Sequence, residues 1–103
     1  LLGRRTGVDF AELYELWAID NAIQNSAVSD LSSGQHQRVY LAAQLYQPAK
    51  ALLIDEPERH LDHTWTAFLA EELRHLAAEG RCIVLASHSP AIFAACHEVV
   101  EIS

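Results

Sequence analysis

An α/β fold with parallel strands and crossover helices is predicted by three observations on this 103-residue chain. Ala51 to Ile54 and Cys82 to Ala86 are short continuous apolar runs, the pattern of strands buried in a parallel sheet. Between them Trp65, Phe68, Leu69, Leu73, Leu76 and Ala77 recur at spacings of three and four, which lays one apolar stripe along a helix. The resulting order of helix, strand, helix, strand, helix, strand calls for right-handed crossovers between parallel neighbours, in a sheet covered on its faces.

Each element has a local reason. After a basic, turn-rich opening from Gly3 to Gly7, Asp9 is placed to cap a helix running to Ile19, with Leu13, Leu16 and Trp17 at helical spacing. Asp20 to Ser29 clusters Asn, Gln and Ser around Ala27-Val28 and reads as an irregular connection. Ser32 and Gln35 have the S-x-x-Q spacing of a capping box, in which each side chain satisfies an orphan backbone donor of the other residue. A helix therefore starts there. Its apolar stripe is Val39, Ala42, Ala43 and Tyr46, and Pro48 closes it because the residue before a proline avoids helical geometry.

The first strand ends abruptly at Asp55-Glu56-Pro57, and the long helix spans Asp62 to Glu79, with Gly80 where a C-terminal cap belongs. Trp65 and Phe68 fit its core stripe better than a ligand platform. After the second strand, Ser89-Pro90 supplies an N-cap followed by proline at the first helical position. The short helix it starts runs to about Cys96, and Glu98 to Ile102 is a third strand.

Half of the residues are hydrophobic, enough for a real core in one small domain. Seven basic against fourteen acidic residues give a net charge of −7 with six histidines neutral. That balance disfavours direct binding of a nucleic-acid backbone, yet leaves open nucleotide binding through Mg²⁺ and backbone amides. Cys82 and Cys96 sit in apolar contexts without a Cys-x-x-Cys spacing, the pattern of two reduced, buried thiols of a cytosolic protein. No run reaches the length of a membrane span and no signal peptide is visible. The chain opens on Leu1-Leu2-Gly3 and stops just after the apolar run Val99 to Ile102, so both ends look cut from something longer.

In open parallel sheets, ligands bind beyond the carboxyl ends of the strands. Asp55-Glu56 follow the first strand there, Ser87-His88-Ser89 follow the second, and Leu61-Asp62 lie in the loop leaving the first. Two adjacent carboxylates at the end of an apolar strand are costly without nearby positive charge, which a divalent cation with phosphate would supply. The stretch DLSSGQHQRV, from Asp30 to Val39, adds a Ser/Gly segment entering a helix, where backbone N–H groups and the helix dipole favour an anion. Its usual partner, G-x-x-x-x-G-K-[ST], is missing from these residues: the one lysine is Lys50, without a preceding glycine loop. Bland alternatives stand beside each reading. Asp55 and Asp62 fit helix-capping roles, and a histidine after a strand, as at His88, is often structural. His60, Asp62 and His63 beside Glu56 and Glu58 suggest a metal cluster, but His60 and His63 lack a recognised zinc-ligand spacing.

Taken together, LSSGQ at 31 to 35, ALLIDEP at 51 to 57, Leu61-Asp62 and Ser87-His88 come in the order and spacing of the C-terminal half of an ATP-binding-cassette (ABC) ATPase. They resemble its signature motif, Walker B strand, D-loop and H-loop, over roughly Ser29 to Ile102. The resemblance implies a partial P-loop NTPase fold preceded by part of a helical subdomain. Residues 1–47 would be a helical segment ending in the signature helix, and residues 48–103 the Walker B and H-loop core. It further implies that Asp55 holds Mg²⁺, that Glu56 orients or deprotonates the attacking water, and that His88 contacts the γ-phosphate. Ser32, Ser33, Gly34 and Gln35 would cap ATP bound to the P-loop of a second ABC ATPase protomer in a head-to-tail dimer, with Asp62 communicating across the interface. Ser33 stands where the family more often has glycine, a mild departure because a small hydroxyl can still donate to phosphate.

The wording Asp55-Glu56-Pro57-Glu58-Arg59-His60-Leu61 and Ser87-His88-Ser89-Pro90 looks more like the soluble AAA-type branch, related to recombination and SMC proteins, than like transporter cassettes. The expected protein is cytoplasmic, without membrane insertion of its own, and works with a DNA-processing partner or, in the transporter alternative, a membrane subunit. An interaction module without independent catalysis is the reading of a different class. The P-loop discriminates between them.

Overall fold

The computed structural model describes residues 10–48 and 51–97. The turn-rich opening, the Asp9 cap, Lys50 and the third strand expected at 98–102 lie outside the described residues. Among the described residues the helices and strands follow in the order α1 (Phe10–Leu16), α2 (Asn21–Gln24), α3 (Ser33–Gln44), β1 (Ala51–Asp55), α4 (His63–Ala78), β2 (Cys82–Ala86) and α5 (Pro90–Ala95).

The first helix is shorter than its apolar spacing suggests. It stops at Leu16 because Ala18 takes the left-handed conformation (φ 54°), and Trp17 leaves the helix to enter the core. The N–H of Ala18 donates to Glu15 O at 3.2 Å and that of Ile19 to Tyr14 O at 2.7 Å, the two reversed bonds of a Schellman end. The next segment is not irregular throughout: Asp20 Oδ1 accepts from Ile23 N at 3.0 Å and caps the one-turn α2, and a 3₁₀ turn covers Val28–Asp30.

Helix α3 starts on the expected capping box. Gln35 N donates to Ser32 Oγ at 3.1 Å and Ser32 N donates to Gln35 Oε1 at 3.0 Å. Its buried stripe is rotated from the expected one: Leu41, Ala42, Leu45 and Tyr46 are buried, Val39 is half-buried and Ala43 is exposed. The larger Leu41 and Leu45 take the inward positions, where they remove more apolar surface from water than alanine can.

Strands β1 and β2 pair in parallel, with Ala51 opposite Cys82 and Asp55 opposite Ala86. The long α4 between them is the crossover. Asp62 caps it by accepting from Trp65 N at 2.8 Å, and Gly80 (φ 93°) ends it in a second Schellman arrangement, with Arg81 N on Leu76 O at 3.3 Å and Gly80 N on Ala77 O at 3.0 Å. Ser89 caps α5, with Ile92 N donating to its Oγ at 3.4 Å.

The strands are not buried on both faces among the described residues. Leu52, Ile54, Ile83 and Leu85 turn toward the hydrophobic core, whereas Leu53 (87 % exposed) and Val84 (55 % exposed) turn away from it. The expectation of two buried thiols fails for the same reason: Cys82 shares the outward register with Val84 and is exposed, while Cys96, at the end of α5, is half-buried. Both are free thiols.

The core centres on Trp17, which has no solvent exposure. Its ring stacks on Trp65 at 5.9 Å, meets Phe68 edge-on at 4.8 Å, and its Nε1–H donates to Tyr46 Oη at 2.8 Å. Tyr46 Oη in turn donates to Glu72 Oε1 at 2.8 Å, and Glu72 Oε2 lies 3.3 Å from His75 Nδ1. A carboxylate only 2 % exposed is tolerable in the core because these partners satisfy it. Trp65 and Phe68 are half-buried and pack against this core, in line with the expected stripe, and the Arg38 guanidinium lies 4.7 Å from the Trp65 ring centroid. Arg81 is buried at the start of β2, where Nη1 donates to Leu45 O at 2.6 Å. Desolvation pulls its pKa below the usual arginine value, and Glu79 partly opposes that shift.

Candidate active site

The parallel register brings two loop starts together at the carboxyl ends of β1 and β2. Asp55 pairs with Ala86, and the next residue, Glu56, donates its N–H to Ala86 O at 2.7 Å, so Glu56 lies beside Ser87-His88. Asp55 and His88 are exposed and Glu56 is half-buried. Glu56 also has φ 46°, a left-handed conformation that costs a non-glycine residue about 1–2 kcal/mol. That turn reverses the chain into the fully buried Pro57, and Arg59 N then closes back onto Glu56 O at 3.1 Å.

Beyond β2 the serines shape the backbone. Ser87 Oγ accepts from Ser89 N at 3.0 Å and Ser89 Oγ caps α5, which leaves the His88 ring exposed between two fixed neighbours. The His88 N–H itself donates across to Glu58 Oε2 at 3.2 Å.

The signature residues form a second cluster, on the loop that leads into α4. A shallow cavity of about 210 Å³ is lined by Ser32, Gly34, Gln35, Arg38, His60, Leu61, Asp62 and Trp65. A Cβ on Gly34 would approach His60 O to 3.1 Å, so glycine here permits close packing of the signature turn on that loop. His60 itself is left-handed, at φ 66°. Ser32 and Gln35 spend one acceptor each on the capping box, but the Ser32 hydroxyl proton remains free to donate, and Ser33 is exposed. The Asp62 carboxylate caps α4 and lines the same cavity. Its capping and site-lining readings therefore coexist.

The eight candidate residues thus divide in two: Asp55, Glu56 and His88 at the strand ends, and Ser32, Ser33, Gly34, Gln35 and Asp62 around the signature turn. A bridge joins the clusters, for Gln37 on α3 donates from Nε2 to Pro57 O at 3.0 Å. Gln37 and Glu58 are the residues that sequence reasoning left without a role. The only signal was their presence in the strings LSSGQHQR and DEPERHL, because their partners lie 20 and 30 residues away.

Among the described residues no three His, Cys, Asp or Glu side chains are gathered to hold a metal by themselves. The donor set fits Mg²⁺ nonetheless, since this ion keeps several waters and takes one or two carboxylates together with substrate phosphates. The Asp55 carboxylate, exposed at the end of β1, has the donor chemistry and the access that such an ion requires. Among the described residues no helix is long and apolar enough to cross a membrane.

A family model described as "AAA domain, putative AbiEii toxin, Type IV TA system" matches residues 15–94. The chain is 42 % identical over 73 residues to a macrolide export ATP-binding/permease protein, MacB 1/2, of Paracoccus denitrificans, covering 71 % of this chain and 11 % of that protein. In shape it is similar to the archaeal ribosome recycling factor aABCE1, solved with ribosomal stalk protein aP1: TM-score 0.71, 28 % identity, 84 % of this chain and 16 % of the other. A chain from structures of SMC ATPases shares the fold, with TM-score 0.62, 17 % identity, and coverage of 76 % and 50 %. The parallel strands and crossover helix are those of a partial P-loop ATPase fold, and the likeness to ATP-binding proteins supports an ATPase-type function.

Proposed function

Since the chain belongs to the AAA domain family and, with it, to the ABC ATPase superfamily, we propose that it supplies the C-terminal half of a composite ATP-hydrolysing site. In this reading Asp55 holds Mg²⁺, which neutralises phosphate charge when bound. Glu56, held in the left-handed turn that follows β1, accepts a proton from the attacking water or orients it. His88 donates from its ring to the γ-phosphate. Ser32, Ser33, Gly34 and Gln35 act in trans, on ATP held by the P-loop of a second protomer in a head-to-tail dimer, and Asp62 sits at that junction.

The observation that carries the reading is the in-register pairing that sets Glu56 beside Ser87-His88, with Glu56 N–H on Ala86 O at 2.7 Å. The separate position of the signature turn against His60 supports action on a different nucleotide. In the intact, P-loop-containing protein, Glu56→Gln is expected to keep ATP binding, abolish turnover and trap an ATP-bound dimer detectable by light scattering. Persistent binding without dimer formation would defeat the trans assignment. These 103 residues alone, which contain no G-x-x-x-x-G-K-[ST] loop, are expected to show negligible ATPase activity. Turnover by the isolated chain that disappears in Glu56→Gln would overturn this.

We place the chain in the soluble, cytoplasmic AAA-type branch, with a DNA-processing partner, on the DEPERHL and SHSP wording and the match to the AAA model. A transporter cassette bound to a membrane subunit is the second reading, favoured by the 42 % identity to the macrolide export protein. The chain spans about a ninth of that relative's length, 11 %.

A further inference from the structure

We propose that Glu58 is a positioning residue for His88, braced from the signature helix by Gln37. The inference rests on the reading of His88 as the histidine that meets the γ-phosphate. Glu58 reaches from the loop after β1 to the loop after β2, where its Oε2 accepts the His88 N–H at 3.2 Å. Its other oxygen, Oε1, is buried and makes no hydrogen bond among the described residues. A buried carboxylate oxygen left without a partner is costly, so this side chain is not placed here for stability alone. The bond it does make is charge-assisted and acts on the backbone of the one residue whose ring must meet a phosphate oxygen.

The loop that carries Glu58 is held on three sides. Pro57 is fully buried, and its carbonyl accepts Gln37 Nε2 at 3.0 Å. Arg59 N closes on Glu56 O at 3.1 Å and Leu61 N on Glu58 O at 3.0 Å, which fixes the Glu58 backbone between two turns. On the far side, the Ser87 Oγ already accepts from Ser89 N, and the His88 N–H donates to Glu58 instead. The result is a strut from α3, through Pro57 and Glu58, to His88. It ties the helix that begins with the signature to the histidine on the chain's own half-site, and a misplacement of about 1 Å at such a group can cost about 100-fold in rate.

The test uses the intact P-loop-containing protein. Glu58→Ala is expected to lower kcat about tenfold with KM changed less than about twofold, and to speed hydrogen–deuterium exchange at the His88 amide while β1 and β2 stay protected. Glu58→Gln, whose amide oxygen still accepts, is expected to restore most of both. Gln37→Leu, which removes the brace and leaves the carboxylate, is expected to lower kcat by about threefold, in the same direction. Wild-type kcat and His88 protection in Glu58→Ala would overturn the proposal, as would equal loss in Glu58→Gln or exchange that rises across both strands. If Glu58→Ala fails to fold, the Glu58→Gln and Gln37→Leu pair decides it by the same readings. Glu56→Gln separates the two readings: normal turnover in that variant defeats the catalytic assignment, whereas its loss together with an unaffected Glu58→Ala defeats only the strut.

Discussion

The aromatic core around Trp17 and the loops that leave β1 and β2 use polar and charged groups in opposite ways. In the core, the indole N–H, the Tyr46 hydroxyl and the Glu72 carboxylate form one hydrogen-bonded series, and Ala18, beside Trp17, is the one non-glycine residue of the described helical segments with positive φ. At the strand ends and in the loops, Glu56 and His60 have positive φ, Asp55 and His88 face solvent, and Glu58 Oε1 is buried without a hydrogen-bond partner among the described residues. Strain and unmet polar capacity persist only where surrounding structure over-determines them, and they gather at functional sites. The difference teaches that the helical side holds the chain together so that the strand ends can be held in costly geometry. Changes in one region should therefore move activity, and changes in the other stability.

The sharpest test of that division is Glu56→Gln, with an expected fall in ATP turnover of about 1,000-fold in the intact protein, the scale of general base catalysis. Its unfolding free energy should stay within about 0.5 kcal/mol of wild type, as for a half-exposed substitution without new voids. Steady-state turnover with Mg²⁺ and urea unfolding, run on one preparation, check both halves. A large loss of stability would show that the loops carry the fold.

Trp17→Ala is the converse. It removes the centre of the core and is expected to destabilise by about 3–5 kcal/mol in urea unfolding, with ATP turnover per folded molecule preserved at low temperature. Tyr46→Phe is gentler in volume but strips the hydroxyl that joins Trp17 Nε1 to Glu72 Oε1. It should cost about 1–3 kcal/mol, because two buried polar groups lose the partner between them. A loss below about 0.5 kcal/mol would mean that the series adds little beyond packing.

What the sequence revealed follows the range of the interactions. The capping box at Ser32 and Gln35, the Asp62 and Ser89 caps and the Gly80 terminus were legible because each is decided within a few residues. So were the strand positions and the carboxylates of Asp55 and Glu56 where β1 ends. The rotation of the α3 stripe from Ala43 to Leu45 was not, since it depends on Trp17 and α4. Nor was the one-sided burial of the strands, because an apolar run does not say which neighbours cover it. The Glu58–His88 bond spans 30 residues and has no periodic signal at all.

The end of α1 was missed for a related reason, and it gives the smallest test. Ala18 and Gly80 occupy the same position of two Schellman ends, at φ 54° and 93°. Gly80 announced its helix end in the sequence; Ala18, a good helix former, concealed one. The alanine accepts left-handed geometry at a cost that glycine avoids, while the bonds from Ala18 N and Ile19 N and the insertion of buried Trp17 hold the turn in place. Ala18→Gly is therefore expected to stabilise the protein by about 0.5–1 kcal/mol, the steric relief outweighing the added freedom of the unfolded chain, and Gly80→Ala to destabilise it by a similar amount. Urea midpoints at equal slope measure both. If Ala18→Gly proved neutral or destabilising, the left-handed turn at Ala18 would carry no strain, and among the described non-glycine residues positive φ would be costly at the strand-end loops alone.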